Sequence, residues 1–411
     1  MKFIEKLLGS PTGLSKKTTK SAKKKFHLLK AVYEMDKASV NDLMKRLALS
    51  FPTLNTLMVD LVERKYLIQH ERGESLGGRK PNLYQLNDNL FKVLTIEINR
   101  KSVLIALLDN NCNILNEPQT YQFEISTDLS ELPAFLIIVR RYLKEHKLDL
   151  ELITGISISM PGLVERNSGE NYTYFYETGF NLEKHIEHEF NKKTIIVNDA
   201  KAATLAEQAY GKLKHRKDAL VIRLDWGISL GIVANGEIYM GKDGFSGEMG
   251  HISFVNEGEL CYCGKRGCLE TLVSGTALVN KATKDIELGI PTLINSKFGD
   301  KPLTPDHIIQ SALDGDQYAI QLISELGSKL GRAISLFMQV FNPETIVLSG
   351  SFARSSMLMI TPIQQQIQTY SMSKISSGCS LQVSTMGPNG QLFALSKHFV
   401  NSYFEERIGK N

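Results

Sequence analysis

Two stretches of this chain repeat one pattern. Residues 93–115 (VLTIEINRKSVLIALLDNNCNIL) run apolar segment, turn, apolar segment, turn, strand, and residues 219–241 (ALVIRLDWGISLGIVANGEIYMG) do the same. Short apolar runs bounded by polar turns read as antiparallel hairpins. Helical segments follow each copy, so this weak internal repeat restricts the chain to a duplicated sheet-plus-helices unit of the α/β class. Two such lobes leave a cleft between them, a usual place for a small ligand. A length of 411 residues suggests two or three domains, and an apolar share of 42% supplies sizeable cores. The C-terminal stretch GQLFALSKHFVNSYFE reads as an amphipathic helix that closes the first lobe, which places lobe 1 at 89–200 with 380–411 and lobe 2 at 201–379.

Charge divides the chain differently. Residues 1–86 hold seventeen Lys and Arg against eight Asp and Glu, a balance of +9, while the remainder carries −5. A basic head on a mildly acidic body points to a polyanionic partner for the head. Residues 1–21 form a basic arm, and the run Lys16 to Lys25 (KKTTKSAKKK), without aromatics, reads as a solvated tail. From Lys23 the spacing turns helical, with Phe26, Leu29, Val32 and Tyr33 on one face. Ser39 is a natural N-cap for a second helix carrying Val40, Leu43, Met44 and Leu47. A tight turn at Ala48-Leu49 leads to Ser50, a further N-cap, and to Pro52 in the first turn of a third helix that buries Leu54, Leu57, Met58, Leu61 and Val62.

Two short amphipathic helices across such a turn make a helix-turn-helix, whose second helix presents its N-terminal residues to a DNA major groove. Here those residues are Thr53, Asn55 and Thr56. YLIQH and NLYQLN then read as strands flanking ERGESLGGRKP, a flexible basic wing in which Arg79 suits a narrow minor groove and Lys80 a phosphate. The expectation is a winged helix-turn-helix over 22–88 that binds double-stranded operator DNA. A small helical protein-interaction module with a hairpin is the alternative.

Three of the five cysteines, Cys261, Cys263 and Cys268, follow His251 closely. Three thiolates and an imidazole make a closed tetrahedral zinc shell with no position left for an activated water, so the metal would be structural, one Zn2+ per chain. Gly264 and Gly267 suit a tight loop around the ion. Reduced, unligated thiols on a surface loop are the alternative, and an iron–sulfur centre a lesser one that the His disfavours. Cys112 and Cys379 read as small core residues. Met1 to Ser10 has charges where the apolar part of a secretory leader would lie, and no uncharged apolar run is long enough to span a bilayer. A cytoplasmic protein without membrane contact is expected.

Five segments carry a family resemblance: SMPGLV (159–164), VNDAKAA (197–203), NGEIYMGKDGFSGEMGH (235–251), CYCGKRGCLE (261–270) and NPETIVLSG (342–350). With them the body resembles the ROK family (repressors, open reading frames and sugar kinases), and a winged head before such a body resembles the NagC/XylR-type transcriptional repressors within it. The resemblance implies a two-lobed actin-like body. It implies sugar-hydroxyl contacts from Asn198, Asp199, Glu248, His251 and Glu270, with Asp199 at the position of the kinases' general base. The kinases' first phosphate cradle, Asp-x-Gly-Gly-Thr, is Glu97-Ile98-Asn99-Arg100-Lys101 here, and the second, Gly-Thr-Gly-Ile-Gly, is Asp225-Trp226-Gly227-Ile228-Ser229. The Gly-rich nucleoside segment shrinks to Ser349-Gly350-Ser351. Such cradles need closely approaching backbone N–H groups, which glycine permits. The expected function is therefore a sugar-responsive DNA-binding regulator of carbohydrate metabolism genes, a repressor and not an enzyme, with no catalytic residue and acting as a homodimer or homotetramer. The alternatives are an ATP-dependent sugar kinase with a DNA-binding head, and a repressor released by a regulatory protein.

Overall fold

The computed structural model describes residues 16–70, 82–299 and 302–409. The head comprises α1 (Lys16–Met35), β1 (Ala38–Ser39), α2 (Val40–Leu47), α3 (Phe51–Glu63), β2 (Leu67–His70) and β3 (Leu83–Leu86). Because α1 starts at Lys16, the lysine run expected as a solvated tail is helix. Lys and Ala are good helix formers, Ala22 is buried, and Lys25 pairs with Asp60 of α3 at 2.6 Å. A reciprocal cap starts α2. The Ser39 hydroxyl accepts from the Asp42 amide (3.2 Å), and the Asp42 carboxylate accepts from the Ser39 hydroxyl (2.6 Å) and amide (3.1 Å), bonds that hold the Asp42 carboxyl below its ordinary range.

Ala48 makes the left-handed turn (φ 50°) between α2 and α3. Ser50 departs from expectation: its hydroxyl meets the Thr53 hydroxyl at 3.0 Å and caps no amide, while Pro52 fills the first turn. Leu54, Leu57, Met58 and Leu61 are buried, while Val62, expected with them, is half-buried at the last turn; Asn55 and Thr56 are exposed and Thr53 half-buried. β3 is the centre of a sheet ordered β1-β3-β2, antiparallel on both sides. Arg79 and Lys80, between β2 and β3, lie outside the described residues.

β4 (Lys92–Ile98), β5 (Ser102–Asp109), β6 (Gln119–Gln122), α4 (Leu132–Glu145), β7 (Gly155–Met160), α5 (Leu182–Phe190) and β8 (Lys193–Asn198) follow. Their five-stranded sheet is ordered β6-β5-β4-β7-β8, with β4 antiparallel to β5 and parallel to β7. After α6 (Asp199–Ala209), β9 (Ala219–Leu224), β10 (Ile228–Ala234) and β11 (Glu237–Ile238) repeat the meander. Next come α7 (Glu270–Val273), α8 (Gly275–Glu287), α9 (Ile294–Phe298), α10 (Pro305–Leu313), α11 (Gln317–Phe341), β12 (Thr345–Ser349), α12 (Ser356–Tyr370), α13 (Ser373–Ser376), β13 (Ser380–Val383) and α14 (Gly390–Ile408). The second sheet, β11-β10-β9-β12-β13, has the strand order of the first. The duplication legible in the two hairpins is thus present in the topology. Ser380–Val383 pair in parallel with β12 and so extend the second sheet, whereas the sequence assigned everything from residue 380 to the first lobe.

The chain divides into two compact units. One takes the chain up to Ser159, Phe175–Ile196 and Leu395–Asn411; the other takes Met160–Tyr174 and Val197–Ala394. In the first unit α14 is covered nearly all round, not on one face as an amphipathic helix would be. Its Phe399, Val400, Tyr403 and Phe404 share one core with Phe26 and Leu29 of α1, Leu61 of α3 and Phe91. The Phe404 ring lies edge-on to those of Phe26 (centroids 6.4 Å) and Phe91 (5.4 Å), a favoured aromatic geometry. This helix therefore packs against the head as well as the first sheet.

In the second unit β9 alternates. Leu220, Ile222 and Leu224 face a core built with α8, α10, α11 and α12, while Ala219 and Val221 pack with Ala203 and Leu213 on the α6 side. Arg223 follows the second set in register. Cys112 and Cys379, expected in the cores, are half-buried, and Cys112 occupies a left-handed turn position (φ 62°) after β5. Among the described residues no helix is long and apolar enough to cross a membrane.

Candidate functional site

The second unit gathers the acidic residues singled out in the sequence. Asn198 caps α6: its side-chain oxygen accepts from the amides of Ala200 (3.0 Å) and Lys201 (3.3 Å), and its side-chain nitrogen donates to the Gly162 carbonyl (2.9 Å). β10 lets α6 approach closely, since a Cβ on Gly231 would stand 1.6 Å from Thr204 Oγ1. With α6 pressed onto the sheet, Asp199 Oδ2 lies 3.0 Å from Nη1 of Arg223, and Nη2 lies 3.3 Å from Asp225. Asp225 accepts in turn from the Ser351 hydroxyl at 3.0 Å. Asp199 also accepts from the Ala200 amide at 2.8 Å.

Two buried cations sit among these carboxylates: Arg223 is 5% exposed and Lys201 2%. Lys201 Nζ donates to the Ser246 carbonyl. Burial lowers the Lys201 pKa, against the pull of Glu248 and Asp199. Glu248 moves the other way. Burial first, then the charge of Asp199, with Glu270 adding to them, outweigh Lys201 and push the Glu248 carboxyl up to about 7. Near neutral pH it is shared between a hydrogen-bond donor and an acceptor form. Glu270 opens α7, with Oε2 3.4 Å from the Ile228 amide.

The thiols come together as their spacing suggested. The ligand atoms of His251, Cys261, Cys263 and Cys268 all lie within 4.8 Å of one another. Cys261 Sγ is 3.5 Å from His251 Nδ1, and Cys263 Sγ is 3.6 Å from Cys268 Sγ. Zinc–sulfur bonds of about 2.3 Å at tetrahedral angles separate sulfurs by about 3.8 Å, so the set fits such an ion. Gly267 shapes the loop: at φ +72° a Cβ there would stand 1.9 Å from the Val255 carbonyl oxygen. Burial and then the neighbouring thiols push Cys268 up to about 12, and burial raises Cys261, whereas at Cys263 burial is outweighed by the Lys265 amide and the two other thiols, which lower it. Thiols so crowded ionise together only around a cation, which is what a bound metal supplies.

His251 belongs to this thiol set through Nδ1. Its Nε2 lies 2.8 Å from the Tyr262 hydroxyl, with the rings edge-on at 4.9 Å. Asn198, Asp199, Glu248 and Glu270 are brought into one unit with it; Thr53, Asn55 and Thr56, the residues expected to meet DNA, lie in the other unit on α3. Sequence reasoning missed Arg223, Lys201 and Tyr262, and named Ser351 only within the shortened nucleoside segment. The signal for Arg223 was present, since it is the single charge inside the apolar run ALVIRL of β9. Nothing in the string joins Ser351 to Asp225, 126 positions earlier.

Comparison with known proteins bears on the whole body. Residues 93–392 match the ROK family. The DNA-binding transcriptional dual regulator NagC of Escherichia coli is 26% identical over 314 residues, 76% of each chain. A glucokinase of Halalkalibacterium halodurans is 33% identical over 254 residues, 60% of this chain and 76% of its own. A crystal structure of a ROK family transcriptional regulator, described as a homolog of the Escherichia coli MLC protein, superposes with a TM-score of 0.76 at 25% identity, covering 94% of this chain and 99% of its own. The match spans well over half of the 411 residues, and the chain belongs to the ROK family.

Proposed function

We propose that this chain is a sugar-responsive transcriptional repressor whose head binds operator DNA and whose second unit binds a sugar at Asn198, Asp199, Glu248, His251 and Glu270. The observation that carries this reading is the buried ion pair of Asp199 with Arg223 (3.0 Å). A sugar kinase needs a carboxylate that takes the proton of the sugar hydroxyl. Beside a guanidinium a carboxylate is favoured as the anion and is a poor proton acceptor. Asp225 stands where the kinases have the first glycine of the second cradle, and its ties to Arg223 and Ser351 fix a side chain where phosphates would lie. Both facts support a site that has kept sugar recognition and given up nucleotide. The name NagC carries, a DNA-binding transcriptional regulator, supports the same reading.

Zn2+ is the ion the Cys3His set suits, held by Nδ1 of His251 and the sulfurs of Cys261, Cys263 and Cys268. With its shell closed, such an ion supplies a structural cross-link. Glu270 stands two residues beyond Cys268, so the metal loop also fixes one end of the sugar site. On the head, Thr53, Asn55 and Thr56 contact bases, with Arg79 and Lys80 on the wing. A homodimer or homotetramer presents two copies of α3 to half-sites about one helical turn, or a multiple of it, apart. A cytoplasmic location goes with this DNA partner.

The test starts with duplexes selected from a random library by the full chain. Fluorescence anisotropy of the selected duplex should show affinity falling steeply with salt. D-Glucose, N-acetyl-D-glucosamine or D-xylose should release it, with or without a non-hydrolysable ATP analogue. Equal binding of every duplex with no response to any sugar would overturn the reading. The glucokinase relationship motivates the rival, a sugar kinase. Phosphorylation of one of these sugars by ATP, lost in Asp199→Asn, would establish it instead.

A further inference from the structure

Removing one partner from a buried ion pair leaves the other charge uncompensated, which is strongly destabilising, so the two members hold each other in place. Arg223 has two such partners in the second unit, Asp199 at 3.0 Å and Asp225 at 3.3 Å, and is itself 5% exposed. Its position follows from strand alternation: Ala219, Val221 and Arg223 point to the α6 side of β9, and Asp199 is the first residue of α6. Arginine keeps its charge at every accessible pH and offers a planar fork that can serve two carboxylates at once. Asp225 is anchored from behind by the Ser351 hydroxyl, so one end of the chain Ser351–Asp225–Arg223–Asp199 is fixed to the turn after β12.

We infer that Arg223 is a positioning residue for the sugar effector: it holds Asp199 as an oriented anionic acceptor for a sugar hydroxyl, so that ligand affinity depends on a residue that makes no contact with the ligand. This rests on the sugar-binding reading above. Asp225 acts one step further back: it grips the other nitrogen of the same planar guanidinium and so steadies the fork that holds Asp199. Neutralising Asp225 therefore loosens the ligand site less than removing the charge of Arg223, since an amide oxygen at 225 can still accept from the guanidinium.

Isothermal titration calorimetry of the full chain with D-glucose, N-acetyl-D-glucosamine and D-xylose tests this, taking whichever binds wild type most tightly. Arg223→Gln should weaken that sugar at least about tenfold, the scale of a charge-assisted hydrogen bond lost or misaligned. Arg223→Lys, which restores a cation without the fork, should recover part of the loss. Asp225→Asn, which keeps an acceptor for the guanidinium, should fall between wild type and Arg223→Gln. Should Arg223→Gln fail to fold, Arg223→Gln with Asp225→Asn removes the stranded charge at 225 and must show the same loss. Wild-type affinity in either Arg223→Gln protein overturns the inference. So does an equal loss in Asp225→Asn, which would trace the effect to the turn and not to Asp199. If wild type binds none of the sugars, the sugar-binding reading falls first, and this inference with it.

Discussion

Glu248→Gln separates what the site does from what it costs. The folded protein holds the Glu248 carboxyl at about 7 against an ordinary 4.5, so between those values the native state keeps a proton that the unfolded chain has released. A group that binds more protons when folded makes stability fall as pH rises. Its penalty is therefore absent below about 4.5, grows through the interval, and is complete above about 7. At about 1.4 kcal/mol per tenfold, the full displacement is worth at most about 3 kcal/mol. The side chain is half-buried, and screening by water brings the realised figure to about 1–2 kcal/mol. Gln keeps the volume and carries no charge, so the variant escapes this penalty. For a unit of this size the gain is about 2–6 °C in Tm near pH 8, shrinking toward zero at acid pH. Differential scanning fluorimetry of the two proteins across this range measures it. Glu183, also raised to about 7 by burial, is common to both and cancels. The same variant should lose sugar affinity, because the amide replaces one acceptor oxygen by an NH2 donor and carries no charge to strengthen the bond at the other. A Tm difference that does not change with pH, or a variant less stable than wild type near pH 8, would refute the reasoning and show Lys201 to be a sufficient partner for the ionised carboxylate.

Cys263 is exposed, so Cys263→Ser opens no cavity. Metal content by mass spectrometry should fall from about one ion per chain to almost none, with a lower Tm. Asn55→Ala, at an exposed position of α3, should leave thermal stability within about 0.5 kcal/mol while relaxing base preference at one operator position by about 1–3 kcal/mol in binding assays. Phe404→Ala removes a ring packed against Phe26 and Phe91, and should cost the first unit about 3–5 kcal/mol by chemical denaturation.

Much of the site was legible because its chemistry is written locally. The thiols and His251 fall within eighteen consecutive residues, and their ligand atoms do converge. The Ser39 cap, the turn at Ala48 and the buried face of α3 depend on neighbours a few positions away, and each lies where the pattern put it. Local reading failed where long-range packing decides. Lysines beyond the expected start of α1 are helical because Ala22 is buried and Lys25 finds Asp60 on another helix. The apolar positions of α14 looked like one face of an amphipathic helix. Only the packing of Phe404 against Phe26 reveals a second covered side.

By itself, then, the sequence determined the duplicated α/β architecture, the two helices across the Ala48 turn and the strands that follow them, and the membership of the thiol set, because periodicity, capping and ligand spacing act between residues near one another in the chain. The tertiary structure alone decided the state of the carboxylates. Asp199 is paired because α6 is pressed onto β10 at Gly231, which brings it to Arg223, and Glu248 is raised because burial gathers it with Asp199 and Glu270. Charge interactions depend on distance and on access to water, and neither is set until strands and helices far apart in the chain have packed together.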